Sequence, residues 1–423
     1  MRILHTGDWH IGQTLNGFDR AHEFRAVLAQ LAEIVAAREI DAVVVAGDVF
    51  DTQNPSGDAQ ETLYDGLVAM HAARRGLQII ITAGNHDAVG RLEAPSGLLR
   101  AFGTRVVGNV RRRGDRQGER RIDAMRHLLP LIAPGTSEIA AHVLAVSYPT
   151  PACLQAITAP VGGGSAIVHA TRALYAELMD GVRPALAGLP LVVTGHLHVA
   201  GGVESEGPSE RRILVGGEHA VPPDVFPADA TYVALGHLHR RQRVGPQTVR
   251  YCGSLLPLSA TELGYQHSVT LVTLNGLAVP TIETIELRRP VPFWRLPDQA
   301  GVRLSELGDH LAALVNAHGV DADLPQHLRP YVQVWIDRDG VKPNYRAEVD
   351  AIAEAYPLRL VDPRLTPLAA GAIVAATDAA GERLSELVPE DLFRRAFERA
   401  NSGAVLTPAH LAAFHQVAVD EAA

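Results

Sequence analysis

Short apolar runs alternate with amphipathic stretches along the first hundred residues. Asp41–Ala46 and Leu77–Thr82 are runs of aliphatic, largely β-branched residues, which is typical of strands covered on both faces. Arg20–Arg38 and Ala59–Arg74 place apolar residues every three or four positions, which predicts helices with one buried stripe. A short buried strand within residues 1–10 precedes them. This alternation predicts an α/β layered fold, in which ligands bind beyond the carboxyl ends of the strands.

The pattern weakens over residues 105–148, which suggests short strands and loops. Leu191–His198 and Tyr232–His239 are again apolar runs that end in polar turns. Val249–Ser254 and Ser268–Leu274 are predicted to complete a second sheet of the same domain.

Composition changes at Leu287–Pro297, where three prolines predict a linker after a first domain of residues 1–285. Residues 286–370 are predicted to form a small α+β domain. Its expected elements are helices near Leu304–His318 and Tyr345–Ala355 and strands at Tyr331–Ile336 and Leu358–Val361. Residues 371–423 contain two short helical patterns, each with an apolar face. Such faces usually pack on their own chain, and a partner protein is the alternative.

Length, charge and cysteine content narrow the class of protein. A chain of 423 residues is too long for one ordinary core. A net charge of -9 argues against a nucleic-acid binder, although bound cations change the local sign. Two distant cysteines, Cys153 and Cys252, predict no disulfide framework. The sequence shows neither a membrane-length apolar run nor a signal-peptide pattern, so a cytoplasmic protein is expected.

Five apolar runs end in the same way, with glycine followed by polar side chains that can bind metals. The turns are Gly7-Asp8-Trp9-His10, Gly47-Asp48-Val49-Phe50-Asp51, Gly84-Asn85-His86-Asp87, Gly195-His196-Leu197-His198 and Gly236-His237-Leu238-His239. Taken singly, each histidine is more often a hydrogen-bonded surface or core residue, and each Asp or Asn an ordinary turn former. Five such endings in order make independent coincidence a poor explanation.

Together these turns offer the donors of a metal centre. Carboxylate and amide oxygens suit hard divalent cations, and imidazole suits manganese, iron and zinc. Residues two apart in an extended segment point the same way, so Asp8 and His10 are expected to aim at one region. The same holds for His237 and His239. The donors are too many for one ion and about right for two, with Asp48 as the natural bridge.

The motifs G-D-x-H, G-D-x-x-D, G-N-H-D, G-H and G-H-x-H, in this order, resemble those of the calcineurin-like metallophosphoesterases. Residues 1–13, Val44–Thr52, Tyr232–Arg240 and Arg250–Ser254 resemble more closely a family of bacterial DNA nuclease subunits within that superfamily. The resemblance covers nearly the whole chain. It implies a layered α-β-β-α sandwich with a small α+β cap and a C-terminal helical pair.

The resemblance also implies roles for individual residues. Two divalent ions, expected to be Mn²⁺, would be held by Asp8, His10, Asp48 and His239 on one side and by Asp48, Asn85, His196 and His237 on the other. His86 would act beside the scissile phosphodiester without binding metal. Asp51 would set the tautomer of His86, and Asp87 would brace the turn. His198 departs from the family pattern and is interpreted as spare.

The implied activity is hydrolysis of DNA phosphodiesters in repair, recombination and replication. With an ABC-type coiled-coil ATPase as partner, the family acts as an ATP-dependent exonuclease on duplex ends and an endonuclease on hairpins or single strands. A homodimer joined to that ATPase would explain why the chain shows no ATP-binding motif. One alternative is a small-nucleotide phosphodiesterase or phosphatase, which would need neither cap nor helical tail. A non-catalytic scaffold is the other, but no expected ligand is missing.

Two further stretches are candidates for phosphate binding. Arg111–Arg121 contains six arginines and is either a solvated hairpin tip or a phosphate-contacting loop. Gly162-Gly163-Gly164 lacks the lysine and the spacing of a P-loop and is interpreted as a flexible connection.

Overall fold

A computed structural model describes residues 1–114, 120–154, 165–205, 220–297, 301–339, 341, 344–366 and 411. Met1–Thr366 form one compact unit. The C-terminal helical pair, the glycine run at 162–164 and the tip of the arginine-rich hairpin lie outside the described residues. The domain division at residues 285 and 370 stays a prediction.

In the described part of the chain, four strands of the N-terminal region and two later strands build a six-stranded sheet. Its strands are β1 (Arg2–Thr6), β2 (Ala42–Ala46), β3 (Gln78–Thr82), β4 (Thr104–Val107), β13 (Ser268–Thr273) and β14 (Thr281–Glu286). The spatial order is β14-β13-β1-β2-β3-β4, with β1 to β4 parallel. β1, β2 and β3 are buried almost throughout, as their sequence predicted, whereas the edge strand β4 exposes Arg105.

The strand β13 corrects one prediction. It pairs antiparallel with β1, from Arg2 opposite Thr273 to His5 opposite Thr270, and so belongs to the first sheet rather than the second. An apolar run shows that a strand is buried but not which neighbour it pairs with. Pairing with β13 closes the edge that β1 would otherwise expose.

Among the described residues, a second six-stranded sheet faces the first. Its strands are β7 (Leu128–Ile132), β8 (Ile139–Leu144), β9 (Leu191–His196), β10 (Tyr232–Gly236), β11 (Gln242–Arg243) and β12 (Val249–Tyr251), in the order β11-β12-β10-β9-β8-β7. A hairpin of β5 (Arg112–Gly114) and β6 (Arg120–Ile122) precedes it. Aliphatic residues of both sheets, such as Val44 and Val192, form the core between them.

His5 crosses from one sheet to the other. Its Nδ1 lies 2.9 Å from the Tyr232 hydroxyl and its Nε2 lies 3.1 Å from the carbonyl oxygen of Leu235. The carbonyl can only accept, so Nε2–H donates to it and Nδ1 accepts from the hydroxyl. Burial lowers the pKa of His5, so the imidazole is neutral and these two bonds select a single tautomer.

Helices cover the outer faces of the two sheets and complete the α-β-β-α layers that the sequence predicted. The described helices are α1 (Ala21–Ala37), α2 (Gly57–Ala73), α3 (Val89–Glu93), α4 (Ser96–Ala101), α5 (Ala166–Val182), α6 (Leu307–His318) and α7 (Tyr345–Ala353). α1 and α2 pack on the first sheet and α5 packs on the second. α2 begins at the cap residue Ser56, whose hydroxyl accepts a hydrogen bond from Ala59 N.

A three-stranded parallel sheet follows, which we call the cap sheet. It consists of β15 (Phe293–Leu296), β16 (Tyr331–Ile336) and β17 (Arg359–Leu365), with α6 and α7 packed against it. Part of the stretch predicted as a linker is therefore the strand β15. Its apolar residue Phe293 pairs with Tyr331 of β16, so the prolines flank a strand rather than an irregular connection.

Buried charges fasten the cap sheet to α1. The Tyr331 hydroxyl donates to Glu23 Oε1 at 2.7 Å, and Glu23 also forms an ion pair with Arg20. The guanidinium of Arg359 lies 3.6 Å from the centroid of the Tyr331 ring. All four side chains are almost fully excluded from solvent. Paired charges at this depth fix the cap in one position, because separating them would leave a charge buried without compensation.

Candidate metal centre

The five predicted turns lie at the carboxyl ends of β1, β2, β3, β9 and β10. Asp8, His10 and Asp48 each have φ of 48°, and His237 has φ of 103°. The prediction that alternation along an extended chain would align Asp8 with His10 is therefore wrong about the backbone, although the two residues do converge. Left-handed residues are costly outside glycine, and their concentration here is typical of functional sites.

Main-chain hydrogen bonds hold the first two turns together. Asp8 N donates to Gly47 O at 3.0 Å, and His10 N donates to Asp48 O at 3.0 Å. Glycine is required at two neighbouring positions because the backbones approach closely. A Cβ at Gly84 would lie 2.1 Å from Oδ1 of Asp48, and one at Gly236 would lie 1.9 Å from Ala46 O.

The structure brings all seven predicted ligand residues together. In the described part of the chain, three groups have donor atoms within 4.8 Å of one another: Asp8, His10 and His239; His10, Asp48 and His86; and Asp8, Asp48 and His196. Asn85 joins them, since its Oδ1 lies 3.0 Å from His196 Nε2 and 3.2 Å from His237 Nδ1. Their assignment as ligands stays a proposal.

Asp48 occupies the position expected of a bridging carboxylate. Its Oδ2 lies 3.5 Å from His10 Nε2 on one side and 3.2 Å from His196 Nε2 on the other. The two imidazoles belong to opposite halves of the expected ligand set. Asp48 Oδ2 thus lies between the ligands expected for the first ion and those expected for the second.

The chemistry of the donor set fits divalent cations. Among the described residues, Asp8 Oδ2 and His10 Nε2 are buried without a hydrogen-bond partner. A buried polar atom without a partner is costly, and a carboxylate oxygen more so than most. A cation bound between these atoms would satisfy both.

The buried charges also perturb one another. Burial disfavours the charged form of His196, but the carboxylates of Asp48 and Asp8 outweigh it and raise the pKa of His196 to about 9. Burial opposes ionisation of Asp48, yet His196, His10 and His86 together lower the pKa of that carboxyl well below its usual range. Asp48 and His196 therefore form an ion pair at neutral pH, and a cation that binds them must displace the proton.

His86 lies beside this cluster and is held by two neighbours. Its main-chain N–H donates to Asp48 Oδ1 at 2.8 Å, and its Nδ1 lies 2.7 Å from the carbonyl oxygen of Asp51. Since the carbonyl accepts, Nδ1 carries the proton. Asp51 thus contacts His86 as predicted, but through its main chain. The Asp51 carboxylate instead lies 3.2 Å from His10 Nδ1. His86 also belongs to the three-residue group with His10 and Asp48, so the geometry permits it to bind a metal ion.

Asp87 braces more of the site than its own turn. Its carboxylate accepts from Gly84 N at 2.9 Å, as the sequence predicted. It also accepts from Val49 N at 3.1 Å and Phe50 N at 2.9 Å, which ties the third turn to the second.

Glu262 is a residue of the site that the sequence did not predict. It is fully buried, and its Oε1 lies 2.9 Å from His239 Nδ1 while its Oε2 accepts from Leu258 N at 2.8 Å. Leu255–Thr261, just before it, diverge from the sequence pattern of the family, so the resemblance implied no role for this segment. The available signal was a single acidic residue within an otherwise uncharged stretch, which is weak.

The remaining candidates lie apart from the cluster. His198 Nδ1 lies 3.0 Å from Glu204 Oε1 at a partly exposed position, and His198 belongs to none of the three-residue groups found among the described residues. At the base of the arginine-rich hairpin, Arg112 pairs with Glu177 at 2.7 Å and its side chain is only 4% exposed. Arg111 pairs with Glu93. Contact of this hairpin with DNA stays a prediction.

A cleft of about 400 Å³ opens beside the cluster. The polar turns contribute His10, Asp51 and His86 to its wall, and β17 contributes Asp362 and Arg364. Two further segments complete the wall: Gln13, Thr14, Leu15 and Asn16, and Leu258, Ser259, Ala260 and Thr261. A phosphoester in this cleft would lie between the cluster and the cap sheet.

Comparison with known proteins agrees with this geometry. The family model described as calcineurin-like phosphoesterase matches residues 1–241, and that described as type 5 capsule protein repressor C-terminal domain matches residues 289–401. A Rhodobacter capsulatus protein named as the SbcD subunit of nuclease SbcCD is 45% identical over 94% of each chain. Proteins of the same name from Bacillus subtilis (34% identity, 70% of this chain and 72% of the relative) and Escherichia coli K12 (30% identity, 93% of this chain and 92% of the relative) are also similar.

Among the described residues, no helix is both long and apolar enough to cross a membrane.

Proposed function

This chain belongs to the calcineurin-like metallophosphoesterases and, within them, to the SbcD family of metal-dependent phosphodiester hydrolases, and on that premise we propose that it is the DNA nuclease subunit of an SbcCD-type complex. The observation that carries the proposal is the clustering of seven expected ligand residues beside a cleft that one of them, His10, lines. Two buried donor atoms of the cluster lack a hydrogen-bond partner among the described residues. The match over 94% of the chain supports DNA as substrate.

The residues of the cluster have separate tasks in this proposal. When bound, two divalent ions, proposed to be Mn²⁺, supply charge stabilisation and an acidified water. Asp8, His10, Asp48, Asn85, His196, His237 and His239 would hold them. His86, with Nδ1–H fixed on the Asp51 carbonyl, would take up a proton from solvent at Nε2 before the reaction and donate that proton to the departing 3′ oxygen.

The wider assignment extends to partners and context. We propose a homodimer joined to an SbcC-like ABC-type coiled-coil ATPase, acting in the cytoplasm as an ATP-dependent duplex exonuclease and a hairpin or single-strand endonuclease. Its roles would be DNA repair, recombination and replication. Residues 286–370 would contact DNA and residues 371–423 would bind the ATPase. The exposed apolar side chains of Leu98 in α4 and of Phe102 just after it, at 68% and 63% exposure, support self-association through this region.

The decisive experiment compares substrates at fixed Mn²⁺. Linear duplex, hairpin and single-stranded DNA would be incubated with the protein, alone and with its co-purified ATPase partner, beside a small nucleotide diester. Cleavage of hairpin or single-stranded DNA by the protein, and ATP-dependent degradation of duplex ends with the partner, is expected. Hydrolysis of the small diester with all DNA untouched in the presence of the partner would instead favour a small-nucleotide phosphodiesterase.

A further inference from the structure

The cap sheet contributes one cation to the wall of the cleft. Asp362 and Arg364 of β17 line the same cleft as His10 and His86. The cap thus forms part of the wall of the cleft rather than merely covering the fold. Arg364 contributes a positive charge to a chain whose net charge is -9.

An irregularity in β17 directs these two side chains. Gln333 of β16 lies opposite Val361, but Trp335 lies opposite Arg364, so β17 carries one extra residue between these pairs. Asp362, inside this bulge, has φ of 44°. A bulge of this kind bends its strand and re-aims side chains, and bulges are frequent beside active sites.

Hydrogen bonds hold Arg364 in place. Asp362 Oδ2 accepts from Arg364 Nε at 2.6 Å and from Gln333 Nε2 at 3.1 Å. Gln333, which is 1% exposed, in turn accepts from Arg295 Nε at 3.0 Å through its Oε1. Asp362 thus holds Arg364 directly, and the Gln333 amide connects the same carboxylate to Arg295, which lies outside the cleft lining.

The geometry of Arg364 suits an anion in the cleft. The bond to Asp362 uses Nε, whereas a guanidinium carries its other four N–H groups on the two terminal nitrogens. The side chain is 35% exposed, so these groups can be reached by a ligand. A planar fork of donors matches a phosphate group in a bidentate manner.

We propose that Arg364, positioned by Asp362, binds a phosphate of the DNA strand adjacent to the phosphate that is cleaved. The inference rests on the proposed nuclease function and adds a determinant of substrate choice. A strand with neighbouring phosphates engages Arg364, whereas an isolated phosphodiester cannot. Preference for polynucleotides over small diesters would then arise in the cap rather than at the metal centre.

The test compares Arg364→Gln with the unaltered full-length protein on two substrates in Mn²⁺. One is a single-stranded oligonucleotide, and the other is bis(p-nitrophenyl) phosphate, which has no neighbouring phosphate. For DNA, KM is expected to rise about tenfold or more, because a charge-assisted contact is lost. The negative slope of log affinity for DNA against log salt concentration should become less steep by about one. For the small diester, kcat/KM is expected to stay within about twofold.

Further variants separate contact from structure. Arg364→Lys should retain part of the DNA affinity, and Asp362→Asn should raise the KM for DNA with little change in kcat. Arg303→Gln is the matched control, since Arg303 is a 73% exposed cap arginine outside the cleft lining. An unchanged KM for DNA and salt slope in Arg364→Gln would overturn the inference. So would an equal loss on both substrates, which would indicate a structural role. An unaltered protein that hydrolyses the diester but never DNA would reject the nuclease function itself.

Discussion

Glu262 Oε1 lies 2.9 Å from Nδ1 of His239, with both side chains excluded from solvent. If the carboxylate accepts this bond, Nδ1 of His239 carries the proton and Nε2 is the nitrogen that can bind a cation. The second oxygen of Glu262 accepts from Leu258 N, which lies at the cleft wall. One buried carboxylate therefore orients a proposed ligand and shapes the cleft.

Glu262→Gln is expected to weaken metal binding about 10- to 100-fold, because the amide orients and polarises His239 less well than a carboxylate. Calorimetric titration of the metal-free protein with Mn²⁺ measures this directly. The exposed residue Glu306 offers the control Glu306→Gln. Unchanged affinity in Glu262→Gln, with the fold intact by circular dichroism, would show that the carboxylate is not needed.

His86→Gln is expected to lower phosphodiester cleavage about 10²- to 10⁴-fold while the protein still binds two Mn²⁺ ions. The number of Mn²⁺ ions that the variant binds distinguishes a metal ligand from a non-ligand. The distinction is needed because His86 also lies in a three-residue group with His10 and Asp48. Loss of metal in this variant would make His86 a ligand and refute its assignment as an acid or phosphate orienter.

Asp48→Asn is the counterpart. It removes the carboxylate that faces both His10 and His196, so metal binding and cleavage should fail together. Retention of two bound ions by this variant would contradict the bridging role.

Gly84→Ala should disturb the centre without replacing any of the proposed ligands. The added methyl would lie 2.1 Å from Asp48 Oδ1, so the carboxylate or the turn must move, at about 1–3 kcal/mol of folding free energy. A loss of Mn²⁺ affinity and a lower melting temperature are expected. Gly90→Ala is the matched control, since no atom lies within 4 Å of its added Cβ. Equal metal affinity in the two variants would argue against close packing at Gly84.

The His5 bridge between the sheets predicts a pH dependence of stability. Burial lowers the pKa of His5 to about 3, from 6.5 in the unfolded chain. The unfolded state therefore binds the proton first, and stability falls as the pH drops from 6.5 towards 3. The loss from this group between pH 6.5 and 4.5 is about 2–3 kcal/mol. Denaturant titrations in EDTA at several pH values measure the free energy of unfolding. As the pH falls from 6.5 to 4.5, this free energy should decrease less in His5→Gln than in the unaltered protein. The exposed residue His327 provides the control His327→Gln, and parallel declines in all three proteins would refute the assignment.

Buried parallel strands were the most predictable part of this fold. β2, β3, β9 and β10 are continuous apolar runs, and the polar residues that follow each of them revealed the site. Order along the chain and strand direction are enough to bring such endings to one edge of a layered fold.

The features that the sequence did not predict depend on contacts that no local pattern encodes. The helix α5 is an exception, because its buried stripe of Leu174, Leu178 and Val182 is a local helical pattern that was not among the predicted elements. Glu262 becomes functional only because it meets His239 from another loop. The left-handed backbone at Asp8 and Asp48 is imposed by the packing of one turn on another, and it overrides the preference of those residue types.

The position of β1 between β2 and β13 has a consequence for biosynthesis. The first strand to leave the ribosome remains at the rim of a partly formed sheet until residues 268–273 have been made. An unpaired apolar strand invites pairing with other nascent chains. We expect the last part of the sheet to fold late, and Asp8, which follows β1, to be secured only then. Under the proposed nuclease function, a chain whose first ligand-bearing turn depends on a late strand would stay inactive while it is being translated.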